Sequence, residues 1–213
     1  MTGHAAFFLA TGFQGVLVPW LVAVVLAETP ERVGIAQMFT MLPMLLFIMV
    51  GGATADRMEL RSHLVKLQIF VSLPPISLAV VIATDNLSYW ALIAYVSVIS
   101  TAAAWVVPAR DSILTRIAMR SMGGAIPRAV AMATAAQFAA QVVGMIAAGF
   151  AGIVGAVPYL VLHSVLALFT AFTTRQLDEA PPQPAAGEKR SRAKEMWEGL
   201  SMTLGDPDIR AIM

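Results

Sequence analysis

Long apolar runs without charged residues dominate this chain, and their lengths predict its secondary structure. A helix that crosses about 30 Å of hydrocarbon needs about 20 apolar residues, and most of the runs have that length. The last run, from Ala129 to Thr174, would be about 69 Å long as one helix, so Gly152, Gly155 and Pro158 are expected to divide it. The six predicted helices are Ala5–Ala27, Val33–Ala55, Leu67–Thr84, Tyr89–Ala109, Ala129–Ala151 and Val157–Thr174.

The composition argues against a soluble protein. Hydrophobic residues make up 58% of the chain and charged residues only 13%, about half of the roughly 25% charged residues found in soluble domains. Because the chain has no cysteine, disulfides, thiolate catalysis and cysteine metal sites are excluded. The first apolar run is long enough to span a membrane and no basic region precedes it, so we interpret it as a retained helix, not as a cleaved signal peptide.

The basic residues predict how the helices are oriented. With six spans, all but one of the 14 Lys and Arg residues fall on the same side of the membrane, and Arg32 is the exception. Loops rich in Lys and Arg remain on the cytoplasmic side. The sequence therefore predicts an all-α, multi-pass protein of the cell (inner) membrane with both termini in the cytoplasm.

The end of the chain has a different character from the rest. Residues 1–175 form the predicted six-helix bundle, and residues 176–213 are predicted to be a cytoplasmic linker. Within the linker, Asp178–Lys194 is rich in proline and charge, which is typical of an extended segment. Arg192–Leu204 carries apolar residues at near-helical spacing, which predicts a short amphipathic helix at the membrane surface.

A charged loop between the second and third predicted helices carries the most specific pattern in the chain. It reads Gly51-Gly52-Ala53-Thr54-Ala55-Asp56-Arg57-Met58-Glu59-Leu60-Arg61. This loop resembles the Gly-x-x-x-Asp-Arg-x-Gly-Arg-Lys pattern that follows the second helix of major facilitator superfamily transporters. Gly52, Asp56, Arg57 and Arg61 match that pattern, and Glu59 replaces its second glycine.

Three segments resemble one branch of that superfamily, which includes the enterobactin exporter and other secretion effectors. They are Asp56-Arg-Met-Glu-Leu-Arg, Pro108-Ala-Arg-Asp-Ser-Ile-Leu, and Met196-Trp-Glu-Gly-Leu with Asp206-Pro-Asp-Ile-Arg. The third segment is similar to the linker before the seventh helix of these transporters. The resemblance extends over essentially the whole chain and implies the N-terminal half of a major facilitator fold.

An N-terminal half of this fold implies a second six-helix bundle as its partner. The superfamily is built from two six-helix halves that bind the substrate between them, and this sequence stops where a seventh helix would begin. We expect a truncated reading frame or a fragment that lacks its C-terminal six-helix half. The alternative is a genuine half-size protein that pairs with a second copy, as a membrane scaffold or dimerising subunit without transport activity of its own.

The resemblance also implies a role for the charged loop. In the superfamily this loop locks the two halves together in the outward-facing state, and a carboxylate is stabilised at the N-terminus of another helix. Gly52, Asp56, Arg57 and Arg61 are therefore predicted to form a cytoplasmic gate. The simpler interpretation is that the arginines only anchor the loop on the cytoplasmic side.

The fifth predicted helix carries small residues at four-residue spacing, which allows two helices to approach closely. Exporters of the superfamily have a Gly-Pro-x-x-Gly-Gly motif here. Gly144 and Gly149 keep its outer glycines, whereas Met145 and Ala148 replace its proline and its inner glycine. An exporter motif and plain close packing explain the pattern equally well. The candidate packing residues are Ala140, Gly144, Ala148 and Gly149.

Four glutamines lie within the predicted spans: Gln14, Gln37, Gln137 and Gln141. A glutamine that faces lipid is costly, so these side chains are expected to face the interior or a substrate cavity. Bonding between helices is the simpler role for any one of them. His163 could titrate within the sixth helix, although packing is its more ordinary role. Because no Asp or Glu lies mid-span, proton coupling through these helices is in doubt.

The function that these patterns favour is secondary transport. The chain has no phosphate-binding Gly-x-x-x-x-Gly-Lys-Ser/Thr loop, so an ion gradient is the expected energy source. It also lacks Gly-x-Ser-x-Gly and His-Glu-x-x-His patterns, and we predict no enzymatic activity, no catalytic residues, no metal and no cofactor. We predict an exporter of a small molecule that works by alternating access, with the lipid bilayer as its surroundings and no nucleic-acid partner.

Overall fold

The computed structural model describes residues 2–121 and 126–177. The chain divides into a compact unit, Met1–Pro182, and a second unit, Gln183–Met213, and the second unit lies outside the described residues. The predicted linker and its amphipathic helix therefore fall outside them, apart from residues 176 and 177. The helices are α1 (Thr2–Trp20, continued by a π-helical turn at Leu21–Val25), α2 (Pro30–Ala55), α3 (Leu60–Ala83), α4 (Tyr89–Ser121), α5 (Ile126–Ala148), α6 (Ala151–Val154) and α7 (Val157–Arg175).

The described residues form helices and no strand, which confirms the predicted all-α fold. Six of the helices are long and apolar enough to cross a membrane, and α6 is a single short turn between two of them. The predicted division of the last apolar run is also confirmed. Gly155 adopts a φ of 83° between α6 and α7, a conformation that glycine reaches without the steric cost of a side chain.

Two boundaries differ from the prediction by several residues. The third span begins at Leu60, about two turns before the predicted Leu67, because Glu59 caps it: its carboxylate accepts hydrogen bonds from the backbone N–H groups of Arg61 at 3.0 Å and Ser62 at 2.6 Å. The fourth helix continues beyond the predicted Ala109 to Ser121. In both cases the helix continues through charged residues, so runs free of charge marked only its apolar part.

The helices associate mainly as pairs that are not neighbours in sequence. α2 packs on α4, α1 on α5 and α3 on α7, with further contacts of α1 with α7 and of α3 with α4. The core between them includes Phe13, Leu17, Leu92 and Val96. The sequence predicted the six helices but not this pairing, which depends on where small and polar side chains allow close contact.

The spans differ in how much of their surface the bundle covers. Half of the most apolar stretch of α4 is buried (50%), whereas only 6% of that of α2 and 11% of that of α5 is buried. Large apolar side chains such as Met41, Leu45 and Ile146 are therefore exposed on these two helices. The outward faces of α2 and α5 are suited to contact with lipid or with another apolar body.

Candidate functional site

The predicted gate loop forms a tight connection between α2 and α3. The N–H of Asp56 donates to the carbonyl oxygen of Gly52 at 3.1 Å, and that of Arg57 donates to Thr54 at 3.1 Å, so the chain leaves α2 through a final helical turn. The side chains of Asp56 and Arg57 are exposed. The loop thus presents one acidic and one basic group at this end of the bundle.

Arg61 connects the loop to the backbone just after α7, the last helix of the bundle. One terminal nitrogen of its guanidinium donates a hydrogen bond to the carbonyl oxygen of Leu177 at 3.1 Å. Leu177 lies two residues beyond α7, and a cation is favourable beside the unpaired carbonyl groups at the end of a helix. Arg61 therefore binds the backbone where the chain leaves the last span.

The two glycines of the loop pattern have different surroundings. A Cβ atom built on Gly52 has only the Pro108 side chain nearby, at an ordinary 3.9 Å. A Cβ on Gly51 would overlap the carbonyl group of Ala104 in α4, with 2.7 Å to the carbon atom and a shorter distance to the oxygen. Gly51 thus marks a close approach of α2 to α4, whereas Gly52, the glycine of the loop pattern, has room for a side chain.

We expect Gly51→Ala to destabilise the bundle by about 1–3 kcal/mol, as overpacking typically does, because backbone atoms of α4 cannot move aside as a flexible side chain can. Gly52→Ala is the matched control and should unfold at the wild-type temperature or slightly above it. Thermal unfolding of the detergent-purified variants measures both. Equal stability of the two variants would contradict the close approach at Gly51.

The crossing of α1 and α5 brings together several of the predicted residues. A Cβ on Gly144 would overlap the Leu9 carbonyl and lie 3.1 Å from the Cα of Gly12, and a Cβ on Gly12 would overlap the Gln141 carbonyl. Gly12 and Gly144 therefore face each other across the closest approach of the two helices. Of the other candidate packing residues, Ala148 is buried, Ala140 is half-buried, and Gly149 is exposed just after α5 ends.

The four glutamines do not share one location. Gln14 on α1 and Gln137 and Gln141 on α5 are half-buried, and they belong to the same helix pair. Gln37 lies near the start of α2, which packs on α4, and it is exposed. The described bundle does not enclose Gln37, and a substrate role for any of the four residues stays a prediction.

The sequence was compared with known protein families, and it matches the profile described as transmembrane secretion effector over residues 5–211. The chain belongs to this family. With six membrane-capable helices, it is consistent with the N-terminal half of a major facilitator fold. No curated protein and no solved structure matches the chain.

Membership in the secretion effector family supports membrane transport as the broad function, and it agrees with the resemblance on which the gate prediction depends. In the described residues, no group of three His, Asp or Glu side chains is close enough to hold a metal ion.

One polar residue that the structure buries was not selected in the sequence analysis. Gln68 on α3 is fully buried, and neither atom of its amide has a hydrogen-bond partner. One turn later, the carbonyl of Ser72 accepts a hydrogen bond from the hydroxyl of Ser164 on α7 at 2.8 Å. Gln68 lies inside the predicted third span, as the four chosen glutamines lie inside other spans. The cost of a glutamine that faces lipid therefore applied to it as well.

Arg110 is buried as well. It lies one residue beyond the predicted end of the fourth helix, yet α4 continues through it and only 8% of it is exposed. Its guanidinium carbon lies 4.0 Å from the ring centroid of Phe7, within the range of a cation–π contact. Burial could not be inferred from the motif, because it depends on how the first turn of α1 contacts α4 at Arg110.

Proposed function

We propose that this protein is a secondary transporter that exports a small molecule by alternating access. Its membership in a family of transmembrane secretion effectors supports transport. The observation that carries the mechanism is the link from Arg61 to the carbonyl of Leu177, which joins the loop after α2 to the point where the last span ends. A movement of the loop would therefore be transmitted to the exit of the bundle.

Asp56 and Arg57 would form the part of the gate that contacts a second six-helix bundle. Both side chains are exposed at the end of α2, where a carboxylate can meet the positive N-terminus of a helix in that second bundle. The weakly covered faces of α2 and α5 offer apolar surface for the same partner. The second bundle is either the C-terminal half of a longer transporter or a second copy of this chain.

The proposed orientation places the gate loop on the cytoplasmic side of the inner membrane. The Lys and Arg residues support it, since Arg57, Arg61, Arg116 and Arg175 lie at helix ends on one side of the bundle, whereas Arg32 lies in the connection between α1 and α2 on the other. Positive charge is retained on the cytoplasmic side. The start of α1 and the end of α7 would then both face the cytoplasm.

The direction of transport is tested with inside-out membrane vesicles that contain the protein. A panel of fluorescent amphipathic dyes and anionic siderophore-like chelators is supplied outside, and their accumulation is followed with and without an ionophore that collapses the ion gradient. We expect at least one compound to accumulate only while the gradient is intact. Accumulation only in right-side-out vesicles, or no gradient-dependent movement of any compound, would contradict export.

Arg61→Gln in the same vesicles tests the mechanism. Loss of a charged hydrogen bond typically costs about 1.5–3 kcal/mol, so we expect transport to fall by about ten-fold or more while membrane insertion is unchanged. Arg175→Gln is the matched control, because Arg175 is an exposed arginine in the last turn of α7. Equal transport by the two variants would show that Arg61 contributes only its positive charge to orientation.

A further inference from the structure

Arg110 is a buried charge that the proposed gate does not use. It is more than nine-tenths buried, and no carboxylate in the described part of the chain lies within ion-pair distance of it. A charged group inside a membrane protein is costly unless it is paired, and it usually marks a functional site. The carboxylate of its neighbour Asp111 interacts with Arg110 electrostatically but makes no direct ion pair, so the guanidinium still has room for a directly bound anion.

The contacts that surround Arg110 satisfy only part of its guanidinium. One terminal nitrogen makes two long hydrogen bonds to the carbonyl oxygens of Gly3 at 3.5 Å and His4 at 3.4 Å. The ring of Phe7 covers one face. The Nε–H group is buried and has no partner, although a guanidinium has five N–H donors to satisfy.

A second buried polar side chain lies beside the guanidinium. His4 is in the first turn of α1, and its Nε2 atom is also buried without a partner. Its ring packs against that of Phe8 at 4.9 Å between centroids. The first turn of a helix also leaves backbone N–H groups unpaired and carries partial positive charge. A guanidinium without a direct ion pair, a buried imidazole and the positive end of α1 thus lie together, and the guanidinium and the helix end both favour an anion.

We propose that this cluster, formed by His4, Phe7, Phe8 and Arg110, binds the phosphate group of an anionic phospholipid. An arginine matches a phosphate through two parallel hydrogen bonds, and a phosphate is a common ligand at a helix N-terminus. The depth of the cluster selects the source. The first span begins at Thr2, so Gly3 and His4 lie at the end of the hydrocarbon region, where lipid headgroups are found.

The two phenylalanines play different parts in this site. The guanidinium carbon lies 4.0 Å from the Phe7 centroid and 6.0 Å from that of Phe8. Phe7 is therefore the stacking partner that orients the guanidinium, and Phe8 lies farther from it. Lipid bound here would hold the first turn of α1 against α4 at Arg110.

Native mass spectrometry of the full chain tests the proposal. The detergent-purified protein is mixed with equal amounts of phosphatidylglycerol and phosphatidylcholine, and retained lipid is measured. We expect wild-type protein to retain phosphatidylglycerol preferentially, and Arg110→Gln to lower its retention by about ten-fold. Arg175→Gln removes a positive charge from an exposed position and should retain lipid as wild type does.

A free phosphate ion would present the same chemistry, so the measurement is repeated in excess inorganic phosphate. Lipid retention should persist, and full displacement would overturn the lipid assignment. Equal loss in the Arg110 and Arg175 variants would overturn the site, because general surface charge would then explain binding. If Arg110→Gln does not fold, Arg110→Lys keeps the charge without the Nε–H donor. Lower retention by that variant supports the site, and wild-type retention overturns it. None of these outcomes depends on whether the protein transports.

Discussion

Asp56→Asn is expected to reduce transport by roughly ten- to a hundred-fold, without preventing insertion into the membrane. The exposed carboxylate at the end of α2 is the proposed contact with a helix N-terminus in the second bundle. An amide of the same shape keeps the local fold but loses the negative charge, and a hydrogen bond to a charged group contributes about 1.5–3 kcal/mol. Gradient-driven accumulation in vesicles, normalised to the amount of inserted protein, measures the effect.

Asp85→Asn is the matched control for this experiment. Asp85 lies in the connection between α3 and α4, at the opposite end of the bundle, and is also exposed. Its substitution should leave transport unchanged. If Asp56→Asn transports as well as wild type, the gate proposal is wrong, and the loop charges serve only to orient the helices. If both variants are impaired equally, the effect is one of overall charge.

Gly12→Ala and Gly144→Ala are each expected to destabilise the bundle by about 1–3 kcal/mol. In both cases the new methyl group would meet backbone atoms of the facing helix, the Gln141 carbonyl for the first and the Leu9 carbonyl for the second. The unfolding temperature should fall by roughly 2–4 °C for each kcal/mol lost. Thermal unfolding of the detergent-purified variants measures the change.

Gly15→Ala is the control on the same helix. No atom lies within 4 Å of a Cβ built there, and replacing a glycine inside a helix by alanine typically adds about 0.5–1 kcal/mol. The double variant Gly12→Ala with Gly144→Ala should cost less than the sum of the single variants, because one methyl group already separates the helices. Strict additivity, or a destabilised Gly15→Ala, would contradict the crossing.

The residues of the proposed gate show how much of a candidate site a sequence can indicate. Asp56, Arg57 and Arg61 were found from a local pattern between two apolar runs, because the residues of a loop are contiguous in the chain. The partner of Arg61 was not predicted, since Leu177 lies far away in sequence and carries no signal in its side chain. A backbone carbonyl is present at every residue, so only packing selects which one is used.

The glycines at the helix contacts also show the difference between a local sequence pattern and a contact made in the fold. The pattern on α5 pointed to Gly144, but Gly12, which faces it, belongs to no four-residue repeat of small residues on α1 and was not noticed. Gly51 was passed over for Gly52 because the pattern of the superfamily begins there, although only Gly51 contacts the backbone of α4 closely. Periodicity identifies one face of a helix, whereas contact needs a second helix at a particular height and angle.

The sequence by itself determined that there are six spans and at which end of the bundle most of the charges lie, because membrane thickness and the cost of charge in hydrocarbon act on each segment separately. Only the tertiary structure decided that α2 packs on α4, α1 on α5 and α3 on α7, and that Gln68 and Arg110 are buried. Burial depends on atoms brought from distant parts of the chain. A polar residue in an apolar run therefore indicates a free-energy cost of burial. The contacts made by the surrounding helices determine whether that cost is offset.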